Sequence, residues 1–109
     1  MKRYCFALDL INDPELISDY KKHHKQIWPE ITKSIQSSGI ENLEIYLTGD
    51  RLFMVMEVND SFSFEKKAIM DLENPKVQEW EALMWKFQKK LPFAKNGEKW
   101  ILMDTIYQL

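Results

Sequence analysis

The sequence predicts an α+β fold of the ferredoxin-like type, with the element order β-α-β-β-α-β and a four-stranded antiparallel sheet. Two observations support this prediction. Short segments rich in apolar residues, some alternating with polar ones, lie near the start, in the middle and at the end of the chain, and segments with apolar residues at helical spacing separate them. With 109 residues, 45% of them hydrophobic, the chain has the length and the apolar content of one domain, which is predicted to cover residues 1–109.

The first predicted strand covers residues 3–10. Its apolar side chains occupy both faces, with Tyr4, Phe6, Leu8 and Leu10 on one face and Cys5 and Ala7 on the other. A strand that is apolar on both faces is typical of a central position in a sheet that is covered on both sides.

The first helix is predicted to begin after Asp13, which is a suitable N-cap, with Pro14 at the first helical position. Apolar residues at helical spacing extend to about Ser37. Pro29 lies inside this segment, where a proline removes a backbone donor and clashes with the preceding turn. We therefore expect a kink, or a break into two helices, near Trp28.

A β-hairpin is predicted next. Leu43, Ile45 and Leu47 alternate with residues of the opposite face, and the segment from Leu52 to Val58 is apolar on both faces. A short turn at residues 49–51 joins the two segments, which is the spacing of a hairpin.

The rest of the chain is predicted to contain two helices and a strand. Ser61 is expected to cap a short helix that ends near Met70, and Asn74 precedes a longer helix. The longer helix is assigned from apolar residues at 77, 80, 84, 87 and 91. A final strand is predicted from Trp100 to Tyr107.

This arrangement leaves one face of the sheet uncovered. Both helical segments of such a fold pack on the same side, whereas the first and third strands, and partly the fourth, are apolar on both sides. A monomer would expose a large apolar patch, and such patches usually mark association. The sequence therefore predicts a homodimer whose sheets face each other, or pair by their edges, in a dimeric α+β barrel.

The composition excludes several classes of partner. The net charge of −2 gives no support to a nucleic-acid partner, and no apolar run approaches the roughly 18 residues that a membrane span needs. Cys5 is the one cysteine, which excludes a disulfide within the chain and predicts a buried structural thiol in a reducing compartment. The charged N-terminus precedes an interrupted apolar run, which indicates a strand rather than a signal peptide. We expect a cytoplasmic protein.

Both histidines lie in the segment YKKHHKQIWPEI, residues 20–31. Adjacent residues on a helix point about 100° apart, so His23 and His24 cannot hold one metal ion together, and the sequence has no paired metal-ligand motif. We therefore expect no metal site. On a helical wheel His24 lies on the buried side with Tyr20 and Trp28, whereas His23 lies at the margin near the lysines.

Two interpretations of His24 remain open. It can be a core histidine whose ring nitrogens are satisfied by neighbours, or it can face a cavity with aromatic walls, where an imidazole suits proton transfer near neutral pH. Tyr20 offers a hydroxyl group beside it. Apolar core is the first explanation for the tryptophans, but Trp28, Trp80 and Trp100 are also candidate walls of a pocket for a small sugar.

The combination Tyr20-x-x-x-His24-x-x-Ile27-Trp28-Pro29-Glu30 resembles the L-rhamnose mutarotase family. The similarity covers nearly the whole chain, through Gly39 with Asn42, Ile45-Tyr46-Leu47, the strand Leu52 to Val58, Trp80, and Trp100-x-x-Met103. It implies a small cytoplasmic homodimer of the ferredoxin-like α+β barrel fold. It also implies an isomerase that interconverts the α and β anomers of a 6-deoxy sugar, L-rhamnose in the first place, without a cofactor.

The resemblance also implies roles for particular residues. His24 aligns with the proposed proton donor, Tyr20 with a sugar-binding tyrosine, and Trp80 with the first of two adjacent tryptophans that contact substrate. Two positions depart from the family pattern. Leu43 replaces a substrate-contacting tyrosine and Glu81 replaces the second tryptophan. These departures make L-fucose or another deoxyhexose the alternative substrate.

Ring opening requires one group that protonates the ring oxygen and another that removes the anomeric proton. Tyr20, Asp104 and Glu57 are the candidates for the group that acts with His24. Two other functions are alternatives. One is a monooxygenase of the same dimeric fold with a polycyclic or haem-like substrate. The other is a non-catalytic dimeric binding module in which His24 belongs to the core.

Overall fold

The computed structural model describes all of residues 1–109. In chain order its elements are β1 (Lys2–Leu10), α1 (Pro14–Lys25), α2 (Pro29–Ser37), β2 (Ile40–Thr48), β3 (Arg51–Val58), α3 (Phe64–Glu73), α4 (Pro75–Trp85), β4 (Gln88–Lys89) and β5 (Ile101–Leu102). The predicted α+β class is confirmed, with each helical segment divided into two helices, an unpredicted short strand β4, and a last strand that is reduced to β5.

The strands form one antiparallel sheet in the order β2-β3-β1-β4, and β5 pairs with β1 beside β4. The pairing of β1 with β3 runs from Lys2 opposite Val58 to Asp9 opposite Arg51. β2 pairs with the other edge of β3, with an irregularity of register after Ile40. The hairpin and the central position of β1 are therefore as predicted.

The first helical segment is divided at Pro29, as predicted. The Asp13 carboxylate accepts hydrogen bonds from the first backbone amides of α1 at 2.9 and 3.1 Å, and α1 ends at Lys25. Trp28 has an extended backbone with φ −56° and ψ 136°, and Pro29 then opens α2. This is the expected result of a proline, which disfavours helical geometry in the residue before it and is accepted in the first turn.

The cap and end of α3 differ from the prediction. Ser63 caps α3, because its side chain accepts a hydrogen bond from the Lys66 amide at 3.3 Å. Ser61 instead donates its hydroxyl proton to the Asn59 side chain at 2.5 Å, and α3 continues to Glu73. Both serines suit an N-cap by residue type, and Ser63 is the one that immediately precedes the first helical residue, Phe64.

The prediction of one helix as far as residue 91 is wrong beyond Trp85. α4 ends at Trp85, and β4 follows at Gln88–Lys89. Phe87 and Leu91 are buried as expected, but they lie outside the helix. A spacing of four residues is compatible with one helical turn and with one face of a strand, so the apolar pattern alone could not separate the two.

The last strand is much shorter than the predicted segment of residues 100–107. β5 pairs with β1 only at Phe6 and Ala7. Residues 104–109 have no strand partner within the chain, and Ile106 is 96% exposed. An alternating pattern indicates that a segment can pair, whereas a strand also requires a partner edge.

The main core lies between the helices and one face of the sheet. Leu8, Leu10 and Leu52 contribute fully buried side chains from this face. The opposite face carries the half-buried Cys5, Ala7, Phe53 and Val55, together with Tyr46, which is 52% exposed. The apolar second face that the sequence predicts is therefore present in the single chain.

Candidate active site

A cavity of about 310 Å³ lies between the helices and the covered face of the sheet. Most of its lining side chains are apolar and come from the helices and the three long strands. Most of the polar ones form two groups. We call Tyr20, His24 and Gln88 the neutral wall and Lys67, Asp71, Glu81 and Lys99 the charged wall, and Ser34 is a further polar residue of the lining. Apolar walls with a few polar groups are typical of small-molecule sites, and the volume is at the lower end of the usual range of about 300–1,000 Å³.

His24 is held in one orientation by its own helix. Its Nδ1 atom lies 2.9 Å from the backbone carbonyl oxygen of Tyr20, one turn earlier in α1. A carbonyl oxygen can only accept a hydrogen bond, so Nδ1 carries the proton and donates it. In the neutral imidazole the lone pair is then at Nε2, which makes this atom the basic one.

The environment keeps His24 neutral. Burial lowers the pKa of His24 below its ordinary value, the hydrogen bond to the Tyr20 carbonyl opposes this shift, and the charge of His23 adds to it. The His24 ring also lies between two aromatic rings, with centroid distances of 4.4 Å to Tyr20 and 5.8 Å to Trp80. A neutral, oriented imidazole that lines a cavity is suited to accept a proton.

Tyr20 is buried and its hydroxyl group has a partner. Gln88 Nε2 donates a hydrogen bond to Tyr20 Oη over 3.1 Å. Burial raises the pKa of the Tyr20 hydroxyl, and the bond from Gln88 acts in the opposite direction. The phenol therefore keeps its proton at neutral pH, and because its oxygen accepts from Gln88, that proton is free for another acceptor.

The three predicted tryptophans have different positions. Trp80, which is 9% exposed, and the half-buried Trp100 line the cavity. Trp28 does not line it and packs against Trp80, with a distance of 5.1 Å between the ring centroids and nearly perpendicular planes. The side chain of Lys76 covers the ring of Trp28 at 5.7 Å. Trp28 thus supports the wall that Trp80 presents.

The charged wall consists of two pairs of opposite charge. Lys67 Nζ and Asp71 Oδ2 form an ion pair of 2.8 Å one turn apart on α3. Burial lowers the pKa of Lys99, and the negative charge of Glu81 opposes this shift. Leu43 lines the cavity as well, so both positions that depart from the family pattern face the same space as His24.

Besides Trp28, three further residues from the sequence analysis lie outside the cavity. Glu57 is on the uncovered face of the sheet, where it forms an ion pair of 3.6 Å with Arg3. Asp104 is in the exposed C-terminal segment. His23 is half-buried rather than fully outside, because its ring packs against Phe87 at 5.4 Å. Of the three candidates for the second proton-transfer group, only Tyr20 lines the cavity.

Gln88 and the charged wall, apart from Glu81, were not identified from the sequence. A signal for Gln88 was present, because it lies four residues after Met84 and three before Leu91, both of which are buried. A polar residue within an apolar stripe is an informative exception. No comparable signal exists for Lys99, which reaches the cavity from the loop between β4 and β5.

No cluster of three or more histidine, cysteine, aspartate or glutamate side chains with metal-binding geometry occurs in the structure. None of its helices has the length and apolar character required to cross a membrane.

The fold and the cavity define a class of protein: a ferredoxin-like α+β domain with a cavity of small-molecule size and an oriented imidazole in its lining. Comparison with known proteins specifies the family. The family model described as L-rhamnose mutarotase matches residues 3–109. The chain belongs to the L-rhamnose mutarotase family, and its members are sugar mutarotases, a class of isomerases.

Individual relatives agree with this assignment. The chain is 45% identical to an L-fucose mutarotase of Xanthomonas campestris pv. campestris, over 100% of this chain and 89% of the relative. It is 31% identical to an L-rhamnose mutarotase of Oceanobacillus iheyensis, over 95% of this chain and 92% of the relative. The crystal structure of an L-rhamnose mutarotase from Formosa agariphila has the same fold, with a TM-score of 0.73, 20% identity, and coverage of 100% and 99% of the two chains.

Two further solved structures have this fold. Tetracenomycin F2 cyclase from Streptomyces glaucescens matches with a TM-score of 0.62 and 15% identity, over 100% of this chain and 97% of the cyclase. A dimeric ferredoxin-like protein from an uncultured marine organism matches with a TM-score of 0.56 and 13% identity, over 98% of this chain and 90% of that protein. Together with the family assignment, these matches confirm the ferredoxin-like fold class.

Proposed function

We propose that this protein interconverts the α and β anomers of a 6-deoxy-L-hexose, with L-rhamnose as the first candidate, and that His24 is its central proton-transfer group. One observation carries the mechanistic part of this proposal. The imidazole of His24 is fixed by the Tyr20 carbonyl at 2.9 Å, lines the cavity together with Trp80, and has a pKa that burial lowers, which favours its neutral form.

The reaction requires two coordinated proton transfers. His24 Nε2 takes the proton of the anomeric hydroxyl, the bond between C1 and the ring oxygen breaks, and the ring oxygen receives a proton from a donor in the cavity. The open-chain aldehyde rotates about its C1–C2 bond. When the ring hydroxyl adds to the other face of the carbonyl, it returns its proton to the donor, and the carbonyl oxygen takes the proton back from the imidazolium. All groups regain their starting state, so no co-reactant is needed.

The dimensions and polarity of the cavity favour a small polar ligand over the alternative functions. A cavity of about 310 Å³ is small for the polycyclic or haem-like substrate of a monooxygenase. The charged side chains Lys67, Asp71, Glu81 and Lys99 also line it, and charged groups suit hydroxyl groups better than an extended apolar ring system. The non-catalytic alternative, in which His24 belongs only to the core, predicts that the protein accelerates the anomer exchange of no sugar.

L-Fucose is the second candidate substrate. It is favoured by the 45% identity to an L-fucose mutarotase and by Leu43 and Glu81, both of which line the cavity. L-Rhamnose and L-fucose differ in the configuration of their C2 and C4 hydroxyl groups. Changes in the hydrogen-bonding groups of the wall are therefore expected to alter the choice between the two sugars.

The experiment is saturation-transfer NMR between the anomers of L-rhamnose and of L-fucose, with and without the protein. We expect the protein to accelerate the exchange of at least one of the two sugars, with D-glucose as a comparison sugar. A protein that accelerates the exchange of no aldose would contradict the proposed function.

The proposal includes a homodimer that works in the cytoplasm. The uncovered sheet face presents Cys5, Ala7, Phe53 and Val55, and the C-terminal segment adds exposed apolar side chains. A second copy of the chain would bury these surfaces. The lone, unpaired Cys5 is consistent with a reducing compartment. Sedimentation at micromolar concentration is expected to give the mass of a dimer, and Val55→Lys is expected to shift it towards monomer, whereas a monomeric wild-type protein would contradict the interface.

A further inference from the structure

The position of Gln88 is unusual for a residue that only fills the core. Its side chain is 5% exposed, and its Oε1 atom is buried without a hydrogen-bond partner within the chain. Leaving an amide oxygen unpaired in the interior opposes folding, whereas an apolar side chain of similar shape would avoid this penalty. Stability alone therefore gives no reason for a glutamine here.

The amide nitrogen of the same side chain donates a hydrogen bond to a hydroxyl group at the cavity. Gln88 Nε2 donates to Tyr20 Oη at 3.1 Å, across 68 residues of sequence. Tyr20 and His24 line the same cavity, their ring centroids are 4.4 Å apart, and Gln88 lines that cavity too. The three side chains form a continuous arrangement from β4 through α1.

We propose that Gln88 is a positioning residue that makes Tyr20 the proton donor in the mutarotase reaction, acting opposite the base His24. This inference rests on the proposed function. Because the Tyr20 oxygen accepts from Gln88, the hydroxyl proton is directed away from Gln88 and is available to the ring oxygen of the sugar. As the bond between C1 and the ring oxygen breaks, the Tyr20 proton moves to the ring oxygen and leaves a phenolate.

Gln88 then stabilises the charge that develops on Tyr20. Hydrogen bonds to a charged acceptor are stronger than those to a neutral one, so the bond from Nε2 tightens as the phenolate forms. When the ring closes on the other face, the sugar hydroxyl returns its proton to the phenolate and His24 returns its proton to the anomeric oxygen. The stabilisation is larger in the transition state than in the ground state, so it acts on kcat.

The first test replaces Gln88 by methionine, which has a similar length and no hydrogen-bonding amide. We expect Gln88→Met to lower kcat for anomer exchange by about 10- to 100-fold, the effect of one hydrogen bond to a charged group, with KM nearly unchanged. We also expect the variant to fold, because methionine fills the same space and the loss of the bond to Tyr20 is offset by removal of the unpaired Oε1, and thermal unfolding is the check. A variant that loses stability but retains kcat would overturn the proposal.

A second variant keeps a hydrogen bond between residue 88 and Tyr20 but reverses its direction. In Gln88→Glu an ionised carboxylate can only accept, so the Tyr20 hydroxyl would donate to it and turn away from the sugar. We expect a loss of kcat as large as in Gln88→Met, and a rate relative to wild type that rises as the pH falls and the carboxyl group becomes protonated. A purely structural bond would be retained by glutamate at all pH values, so wild-type kcat in this variant would overturn the proposal.

A third measurement does not depend on catalysis. In protein with 13C-labelled tyrosine, the Cζ resonance of Tyr20, assigned with Tyr20→Phe, is expected to titrate at higher pH in Gln88→Met than in the wild type.

A double variant tests whether Gln88 acts through Tyr20. Tyr20→Phe/Gln88→Met should exchange anomers no more slowly than Tyr20→Phe alone. An independent, additive loss would show that Gln88 does not act through Tyr20. If the wild type accelerates no sugar, both the proposed function and this inference are wrong. If it does and the variants match it, only this inference is wrong.

Discussion

The neutral wall and the charged wall of the cavity differ in how their polar groups are kept in place. On the neutral wall, Tyr20 and His24 are held by single hydrogen bonds to uncharged partners, and burial acts on their pKa values. On the charged wall, Lys67 is neutralised by its ion pair with Asp71. Burial lowers the pKa of His24 and raises that of Tyr20, which favours a neutral base beside a protonated phenol, whereas the second wall presents charged hydrogen-bonding groups. We infer that the first wall carries out proton transfer and the second recognises the sugar.

The largest expected effect tests the chemical role of the neutral wall. We expect His24→Ala to fold normally and to reduce the catalysed exchange by about 10²- to 10⁴-fold, because general acid–base catalysis by one group contributes about this much. The measurement is the NMR exchange rate at saturating sugar, with unfolding temperature as the check on folding. His23→Ala is the matched control, because His23 is adjacent in sequence and does not line the cavity. Equal losses in both variants would remove the distinction between the two histidines.

A smaller effect is expected from the charged wall, and it concerns the choice of sugar rather than the rate. Glu81→Trp restores the residue expected in the family and removes a charged hydrogen-bonding group. We expect it to raise the ratio of kcat/KM for L-rhamnose to that for L-fucose by about 10-fold, the effect of one hydrogen bond to a charged group. Glu79→Trp, on the exposed side of the same helix, serves as control. An unchanged ratio in Glu81→Trp would mean that this wall does not select the sugar.

The smallest expected effect is a shift in the pH dependence of the catalysed exchange rate. Burial places the pKa of His24 below its ordinary value, so the basic form persists as the pH falls below about 6.5. The catalysed rate should therefore be half-maximal at a pH below about 6.5 and level above it until the Tyr20 hydroxyl ionises, beyond its ordinary pKa of about 10. The profile must be corrected for the uncatalysed exchange. A rate that instead increases as His24 becomes protonated would identify the imidazolium as the initial form.

The sequence predicted the neutral wall better than the charged one. Tyr20 and His24 are one helical turn apart, so local periodicity is sufficient to bring them to the same side. Gln88 was not identified because the apolar pattern extended the predicted helix through it, whereas the chain forms β4 there. Lys99 depends on the path of a loop, which no periodicity describes. The helical wheel places Trp28 on the same side as His24. Because the helix breaks before Pro29, Trp28 instead packs against Trp80 and does not line the cavity.

The break between α1 and α2 has a geometrical consequence for the site. Six of the residues that line the cavity form one stripe at helical spacing in the sequence: Tyr20, His24, Ile27, Ile31, Ser34 and Ile35. On a straight helix this stripe would extend for about 22 Å, several times the width of a monosaccharide. Because Pro29 divides the stripe between two helices, its two halves can face one ligand from different directions. One stretch of chain can therefore contribute to more than one side of the cavity.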